Sequence, residues 1–391
     1  MEWVISSNDK PIKSWCANLE DGAMAQAENL ANHPVIFRHV ALMSDAHQGF
    51  GMPIGGVVAC DKAIIPYAVG SDIGCGMAAV RTSYRAEDII RPQLTKIMEG
   101  IRKVIPMGVG IVHEEDQDWE GFDPPISNIL TVINRLIPKA KKQLGTLGGG
   151  NHFWEMQAGD DGYIWIMLHS GSRKLGYDIA DYYYKQAVKL CDKWFSQIPC
   201  KELAFFPIDD IHGREYEDAM NYALEYAQAN RDLMMVRSME VIKSVLGCDF
   251  GKVINVHHNY ARWENHFGKN VIVHRKGATS AKQGETGIIP GSMGTASYIV
   301  SGLGNPESFS SCSHGAGRAM GRNAANKALT VADCDKAMEG VVFGSWGEDR
   351  KGRTDLSEAP GAYKDIEQVI AAQADLVEPV VRLMPLASMK G

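Results

Sequence analysis

The sequence predicts a mixed α/β (α+β) protein in which central β-sheets are flanked by helices. Short runs rich in β-branched residues alternate with glycine-containing turns over the first two thirds of the chain, as is typical of strands joined by tight loops. Later in the chain, apolar residues recur at the spacing that is typical of helices. With 391 residues, 45% of them apolar, the chain can bury a large core. It contains no internal repeat and no proline-rich linker, so we expect one domain over residues 1–391.

The individual elements are predicted from the spacing of their apolar residues. The longest helix is expected over Tyr216 to Leu246, with Gly247 as its C-terminal stop. A second helix is expected after Gly317, and a third over Ile366 to Leu386. The predicted strands are, in chain order, Val35 to Met43, Gly56 to Cys60, Met77 to Tyr84, Tyr163 to Leu168, Val253 to Val256, Val271 to His274 and Ser297 to Leu303.

Charge and composition narrow the function classes. The chain has 40 basic and 47 acidic residues, a net charge of −7, which argues against a positively charged coat for nonspecific nucleic-acid binding. Residues 1–10 lack the apolar core of a signal peptide, and no apolar run approaches the ~20 residues that span a bilayer. The eight cysteines form no CxxC pair. We therefore expect reduced thiols and a cytoplasmic protein.

Five segments place metal-binding side chains beside glycine, asparagine or alanine at the ends of apolar runs. Histidine, cysteine and aspartate offer N, S and O ligands, which suit one or two transition metals without choosing among Zn, Mn, Fe and Co. Any one of these residues is more often a structural side chain than a metal ligand. The occurrence of five such segments in one chain favours a metal site. The segments are Asp45-Ala46-His47, Asp72-Ile73-Gly74-Cys75-Gly76, Asn151-His152, His169-Ser170-Gly171-Ser172-Arg173 and His257-His258-Asn259.

A further segment, from Ser313 to Arg322, combines glycines with arginines in the way that phosphate binding requires. The glycines let the backbone approach a ligand closely, and Arg318 and Arg322 are four residues apart. If a helix begins near Gly317, the two guanidinium groups share one face and suit phosphate oxygens. A helix start with a solvated basic face is an equal alternative. Glycine loops at 148–150 and 290–294 add two more candidate phosphate or base contacts.

Several nucleotide and hydrolase motifs are absent from the sequence. It has no GxxxxGK[ST] loop, no GxSxG elbow and no HExxH segment. It also lacks Lys-x-Asp-Gly, in which a lysine accepts the nucleotide in the common ligases. A nucleotide bound covalently to this chain would need a different nucleophile.

Taken in order, these motifs closely resemble the RtcB family of RNA-splicing ligases, in its compact bacterial form. The resemblance runs from about residue 34 to the C-terminal Lys390-Gly391 and implies a single RtcB-like domain. The segments that carry it are Asp45-Ala46-His47-Gln48-Gly49-Phe50-Gly51, Asp72-Ile73-Gly74-Cys75-Gly76, Gly149-Gly150-Asn151-His152-Phe153, His169-Ser170-Gly171-Ser172-Arg173, His258-Asn259, Arg275-Lys276-Gly277-Ala278, Pro290-Gly291-Ser292-Met293-Gly294 and His314-Gly315-Ala316-Gly317-Arg318.

The resemblance implies an enzyme that joins an RNA 3′-phosphate or 2′,3′-cyclic phosphate to a 5′-hydroxyl, using GTP and Mn²⁺. His314 would attack the α-phosphate of GTP and become a histidine–GMP phosphoramidate. Asp45 would orient His314, as a carboxylate fixes the tautomer of a reactive imidazole. We further expect a monomer and, by the same resemblance, an activating protein such as an archease.

The resemblance also assigns ligands to matching positions. Cys75 would bridge two Mn²⁺ ions, with Asp72 and His152 at one ion and His169 and His258 at the other. The residues implied to bind GTP are Asn151, Glu155, Ser292, Gly315, Ala316, Gly317, Tyr363 and Lys390. The residues implied to hold RNA or GTP phosphates are Arg173, Arg318 and Arg322.

Two other functions remain open at this point. A metal-dependent phosphoesterase or cyclic phosphodiesterase would use the same metal ligands with water as the nucleophile, and it would need no GTP. An RNA or nucleotide sensor would keep the fold without turnover. Such a sensor is expected to lack one of the metal-binding residues or the nucleophilic histidine, and this sequence has all of them.

Overall fold

A computed structural model describes residues 1–123, 131–348 and 352–391 of the chain. Its strands are β1 (Trp3–Ile5), β2 (Ile12–Ser14), β3 (Ile36–Phe50), β4 (Met52–Cys60), β5 (Ala63–Ile64), β6 (Gly76–Arg85), β7 (Phe153–Gly159), β8 (Tyr163–Ser170), β9 (Phe206–Pro207), β10 (Ile254–His257), β11 (Asn259–His266), β12 (Lys269–Lys276), β13 (Ala278–Ser280), β14 (Thr286–Ile289), β15 (Ser297–Gly302), β16 (Ser311–Ser313), β17 (Gly347–Glu348), β18 (Thr354–Asp355) and β19 (Val377–Lys390). A six-stranded sheet has the order β1-β2-β3-β4-β12-β11, and a seven-stranded sheet has the order β10-β6-β8-β7-β19-β15-β14.

Helices cover these sheets. Within the described ranges they are α1 (Asp21–Ala31), α2 (Pro66–Val69), α3 (Arg91–Val104), α4 (Thr131–Gln143), α5 (Arg173–Lys193), α6 (Ile211–Leu246), α7 (Arg322–Ala328), α8 (Val331–Ala337) and α9 (Ile366–Ala372). The predicted mixed α/β class is confirmed. Each predicted strand coincides with an observed one.

The predicted long helix is confirmed as α6, a continuous helix that packs against β6, β8 and β10. Its N-terminus is capped by the Asp210 carboxylate, which accepts from the His212 N–H. It ends at Gly247, whose left-handed conformation (φ 64°) lets its N–H bond to the Lys243 carbonyl. Although α6 has 36 residues, no helix among the described residues is long and apolar enough to cross a membrane.

Two helix predictions are corrected by the structure. The helix expected near Gly317 begins only at Arg322, so Arg318 precedes it and the two arginines do not share a helical face. The helix expected over 366–386 is wrong beyond Ala372, because β19 occupies its second half and lies between β7 and β15. Pro379 and Pro385 in that half lack a backbone N–H, and an internal proline costs a helix about 3 kcal/mol.

Neighbouring strands of the seven-stranded sheet end in one row. Antiparallel hydrogen bonding fixes which residues lie opposite one another, so residues far apart in sequence meet at this edge. The paired positions in this row are His257 with Gly76, Gly76 with Ser170, His169 with Phe153, and Phe153 with Lys390.

Candidate active site

The predicted metal ligands lie along this row of strand ends. Cys75 directly precedes β6, His152 directly precedes β7, and His169 is the penultimate residue of β8. His258 lies between β10 and β11, where the chain passes from the seven-stranded to the six-stranded sheet. Strand register therefore assembles the ligand set at the junction of the two sheets.

The ligand atoms of these side chains converge. Cys75 Sγ lies 3.4 Å from His152 Nε2 and 3.2 Å from His169 Nε2. His169 Nε2 lies 3.3 Å from His258 Nε2, and Asp72 Oδ2 lies 3.3 Å from His152 Nε2. Cys75, His152 and His169 thus form one buried group of ligand atoms, which Asp72 adjoins through His152 and His258 adjoins through His169.

The imidazole tautomer of His169 indicates that a cation belongs in this cluster. His169 Nδ1 lies 3.2 Å from the Asn151 carbonyl oxygen. A carbonyl oxygen only accepts, so it selects the tautomer protonated at Nδ1 and leaves the Nε2 lone pair unshared. This lone pair faces the Cys75 sulfur at 3.2 Å. Cys75 Sγ and one nitrogen each of His152 and His169 all lie within 4.8 Å of one another, as the ligands of one metal ion do. The residues fit a bound metal.

The pKa values of the ligands agree with this chemistry. Burial lowers the pKa of His169 and of His258 well below the usual value, so both rings are neutral and able to bind a metal. Burial, and next the Asp72 carboxylate, raise the pKa of the Cys75 thiol well above its usual range, so metal binding must release its proton. Burial also raises the pKa of Asp72, but the contact with His152 outweighs it and lowers that pKa overall.

A fully buried arginine on α6 holds three ligand-bearing segments. Arg231 Nη1 donates to the carbonyls of Gly74 (2.8 Å) and Ser170 (3.0 Å), which directly adjoin two ligands. Its Nη2 lies 3.1 Å from His257 Nδ1, beside a third. The neighbouring Asn230 donates from Nδ2 to the carbonyl of Gly171 (3.1 Å). One turn of α6 therefore fixes the backbone around the cluster.

His314 lies directly after β16, beside the metal-ligand cluster. Its ring centroid is 4.8 Å from that of His258, and its Nδ1 lies 2.7 Å from Oδ2 of the buried Asp45. Although the two atoms are close, Nδ1 makes no hydrogen bond among the described residues. The His314 backbone N–H donates to Oδ2 of Asp45 (3.2 Å). The nearby Asp45 carboxylate favours the tautomer with the proton on Nδ1, which leaves a lone pair on Nε2.

Two glycines make close contacts that no other residue allows. Gly317 has φ +73°, and a Cβ there would lie 2.3 Å from the Asp45 carbonyl oxygen. Gly148 has φ +87°, and a Cβ there would lie 1.8 Å from Arg173 Nη2. Both positions need glycine for conformation as well as for space. They seat the loop after His314 against Asp45 and give Arg173 room beside the cluster.

A cleft of about 330 Å³ opens beside His314. Its lining includes Phe153 and Met293, which give it apolar walls. Glu155 is buried there and accepts from Ser388 Oγ (2.9 Å). Burial raises the pKa of Glu155 to about 7, although Lys390 opposes this shift. The lining contains every residue implied to bind GTP, namely Asn151, Glu155, Ser292, Gly315, Ala316, Gly317, Tyr363 and Lys390.

A single carboxylate, Glu358, gathers the cationic groups of this cleft. Its Oε1 lies 3.1 Å from Arg318 Nη1 and 3.0 Å from Arg322 Nε. Its Oε2 lies 3.8 Å from Lys390 Nζ and accepts a hydrogen bond from the Tyr363 hydroxyl. Burial raises the pKa of Glu358, but Lys390 and these other partners outweigh it and keep the carboxylate ionised.

Arg173, the third predicted phosphate-binding arginine, is placed apart from Arg318 and Arg322. It begins α5, and its Nη1 lies 3.1 Å from His152 Nδ1. Its Nε donates to Thr146 Oγ1 (3.4 Å). Arg173 therefore supplies positive charge at the metal-ligand cluster, whereas the other two supply it at the cleft.

Sequence reasoning missed Arg231, Asn230 and Glu358. Asn230 and Arg231 could have been noticed in the sequence, because they interrupt the apolar face of a predicted helix that includes Ala227 and Met234. Two polar residues on a buried helix face usually have buried partners. Glu358 gave no such signal, since an acidic residue between Ser357 and a proline turn is ordinary on a protein surface.

Comparisons with known proteins agree with the motif pattern. The family described as "tRNA-splicing ligase RtcB" matches residues 26–391. The RNA-splicing ligase RtcB of Escherichia coli K12 is 40% identical over 413 residues, covering 99% of this chain and 99% of that protein. The tRNA-splicing ligase RtcB of Pyrobaculum aerophilum is 31% identical over 454 residues, covering 95% and 91%. That of Thermococcus kodakarensis is 32% identical over 449 residues, covering 95% and 92%.

Proposed function

Because the chain belongs to the RtcB family, we propose that it is a GTP- and Mn²⁺-dependent RNA ligase that works through a guanylated His314. It joins an RNA 3′-phosphate or 2′,3′-cyclic phosphate end to a 5′-hydroxyl end, in RNA repair or tRNA splicing. The observation that carries the proposal is the position of His314. Its Nδ1 is held 2.7 Å from the buried Asp45 carboxylate, its ring borders the metal-ligand cluster, and it lines a nucleotide-sized cleft.

The first step forms the enzyme adduct. His314 Nε2 attacks the α-phosphorus of GTP, an N–P bond forms, and pyrophosphate leaves as its P–O bond breaks. The imidazole becomes positively charged as this bond forms. The Asp45 carboxylate, 2.7 Å from Nδ1, stabilises that charge.

The next two steps use the RNA ends. An oxygen of the RNA 3′-phosphate attacks the phosphorus of the adduct, and the N–P bond to His314 breaks. The 5′-hydroxyl of the second strand then attacks the RNA 3′-phosphorus, and GMP leaves as the phosphodiester forms. A cyclic end is first opened by water to the 3′-phosphate. Arg173, beside the metal-ligand cluster, and Arg318 and Arg322, beside the cleft, would hold the phosphates.

We assign two manganese ions to the metal-ligand cluster. As the family resemblance implies, Asp72, Cys75 and His152 would hold one ion, and Cys75, His169 and His258 the other. Supporting this assignment, Cys75 Sγ lies 3.4 Å from His152 Nε2 and 3.2 Å from His169 Nε2. Bound Mn²⁺ would offset phosphate charge and polarise the phosphoryl group under attack. The chain itself keeps the cluster buried and supplies the neutral imidazoles.

The cleft residues explain a preference for guanine. The Glu155 carboxylate, once ionised, accepts the two N–H groups on one edge of that base, and the Tyr363 ring offers an apolar face. Lys390 lies close enough to Glu155 to lower its pKa. Asn151, Ser292 and the 315–317 loop provide amide, hydroxyl and backbone groups for the phosphates and ribose.

The test is covalent labelling. With Mn²⁺ and α-labelled GTP, the wild-type chain should carry label through denaturing electrophoresis, and the label should be lost in acid and kept in alkali, as expected of a phosphoramidate. His314→Ala should carry none, while His212→Ala should label normally because His212 is the second residue of α6 and partners Asp210. Unlabelled wild type, or a fully labelled His314→Ala, would contradict the proposal. Phosphate release from RNA 3′-phosphates without GTP would favour the phosphoesterase instead.

A further inference from the structure

A second cavity, of about 380 Å³, adjoins the nucleotide cleft. His47 and Arg318 line both spaces and form the boundary between them. One wall is the chain segment that includes Asn18, and the opposite wall is α9, which presents Gln368. We call this space the Ser44 cavity. Its volume is within the range of small-ligand sites, which begins at about 300 Å³.

The Ser44 cavity offers polar groups suited to a nucleoside. Ser44 is a buried residue of its lining, and its hydroxyl has no hydrogen-bond partner among the described residues. A buried polar group without a partner is rare in a folded protein and indicates a missing ligand or water. Asn18 and Gln368 add amides, which both donate and accept and can pair with a base edge. Glu20 and Asp365 can accept from ribose hydroxyls.

The charge of the Ser44 cavity excludes a polyphosphate. Glu20 and Asp365 balance Lys364 and Arg318. Lys364 is also engaged, since its Nζ donates to the Ala46 carbonyl (2.6 Å). A near-neutral cavity with one arginine at its boundary fits a base and ribose, followed by a single phosphodiester at Arg318.

We propose that the Ser44 cavity binds the terminal nucleoside of one of the two RNA strands. This inference rests on the proposed ligase function, because ligation requires an RNA end within about 3 Å of the reacting phosphorus. The GMP moiety would occupy the cleft that His314 lines, so the terminal nucleoside needs a separate space next to it. The Ser44 cavity is such a neighbouring space, because it shares Arg318 and His47 with the cleft.

The test compares two neighbouring alanines of α9. Ala372 lines the Ser44 cavity, whereas Ala371 lines a separate surface groove. Ala372→Leu narrows the cavity, and Ala371→Leu is the matched control. Gln368→Ala, at an exposed position on the cavity rim, is a second variant that leaves the core intact. Binding is measured by fluorescence anisotropy with two short RNAs, one ending in a 3′-phosphate and one in a 5′-hydroxyl, each blocked at its other end.

We expect Gln368→Ala to bind one of the two RNAs about tenfold more weakly, as expected for loss of about one hydrogen bond to a polar base. Ala372→Leu should weaken binding of the same RNA, because the larger side chain takes up space that the nucleoside needs. The affected RNA identifies which end occupies the cavity. An abasic terminal residue should remove the difference between wild type and variants. Ala371→Leu should bind both RNAs as wild type does.

Unchanged binding of both RNAs would overturn the inference. So would equal weakening of both, or weakening that persists with the abasic end, because neither depends on one nucleoside. The GMP adduct formed without RNA is scored separately. If wild type forms no adduct, the ligase function itself fails, whereas an adduct with unchanged RNA binding rejects the Ser44 cavity alone.

Discussion

The metal-ligand cluster and the nucleotide cleft adjoin each other but are built differently. The cluster lies at the ends of paired strands, and Cys75, His152, His169 and His258 are each at most 5% exposed. The cleft is formed largely by loops and by the end of β19, and its charges lie around Glu358, with Arg322 half-exposed. The cluster therefore depends on fixed backbone positions, whereas the cleft depends on a balance of charges that solvent partly screens.

This difference predicts different responses to substitution. Removing a group from the cluster leaves buried polar atoms without partners, and neither water nor neighbouring side chains can replace them. Removing a charge from the cleft changes affinity by a modest amount, because exposed charge interactions are weak. The four predictions below follow this order, from the cluster to the cleft.

The largest effect is expected for Cys75→Ala. Cys75 Sγ lies within 3.4 Å of Nε2 of both His152 and His169, so its loss should weaken Mn²⁺ binding by more than the about 10- to 100-fold cost of removing a supporting group. GMP labelling should disappear with it. Manganese titration followed by electron paramagnetic resonance measures the affinity. Cys248→Ala, a buried cysteine outside the site, is the control. Equal manganese affinity in both variants would contradict this assignment.

The next largest effect is expected for Arg231→Met, which keeps the length of the side chain but removes its donors. The carbonyls of Gly74 and Ser170 would lose their partner, so the free energy of unfolding should fall by about 3 kcal/mol. Manganese affinity should fall about 10- to 100-fold. Arg237→Met on the same helix should lose stability without losing manganese affinity, since its Nη2 donates to Gln117 instead. Urea unfolding and metal titration separate a positioning role from a merely structural one.

The sequence predicted side chains that the structure brings together from distant parts of the chain. The five proposed ligands are separated by up to 186 positions, from Asp72 to His258 (258 − 72), and no local pattern places them together. They could be selected only because each lies in a motif that resembles the family. The strand pairing that joins Gly76 to both His257 and Ser170 is a long-range property, because register depends on the partner strand and not on the strand alone.

The errors have physical causes. The apolar spacing over residues 366–386 predicts a helix, but Pro379 and Pro385 are unfavourable in a helix. Pairing with β7 and β15 stabilises a strand there instead. In that strand Val381 and Leu383 are buried and Arg382 faces outward, which is an alternation of period two. Glu358 could not be predicted, because its role comes from three cationic groups that lie in a loop, at the start of α7 and at the end of β19.

A pH effect is expected at Glu155. Burial raises its pKa to about 7 from an ordinary 4.5, so the stability that the protonated form contributes is present below pH 4.5 and is lost as the pH rises through 7. Guanine binding needs the ionised carboxylate, since both donors lie on the base. Affinity for guanosine, which lacks an ionisable phosphate, should therefore rise about tenfold between pH 6 and 8. Lys390 is the charged group facing Glu155, and burial lowers the pKa of its own ammonium group from the ordinary value.

The control for this effect is Glu155→Gln, which keeps the size of the side chain and its contact with Ser388. Its affinity for guanosine should be low and independent of pH, as measured by isothermal titration calorimetry. Its stability should also vary less with pH than that of the wild type between pH 4.5 and 7. A flat profile for the wild type would show that Glu155 does not contact the base.

The smallest effect is expected for Glu358→Gln, which should strengthen ligand binding, whereas the other substitutions should weaken it. The amide keeps the shape of the side chain near Arg318, Arg322 and Lys390 but removes the negative charge that competes with phosphate. GTP binding should therefore tighten by about 1 kcal/mol, or about fivefold, and the gain should shrink in high salt. Glu367→Gln, which disturbs the Arg382–Glu367 pair outside the cleft, should leave GTP affinity unchanged. Weaker binding by Glu358→Gln would mean that the carboxylate mainly orients its cationic partners, in which case the cleft would resemble the cluster in depending on position more than on charge.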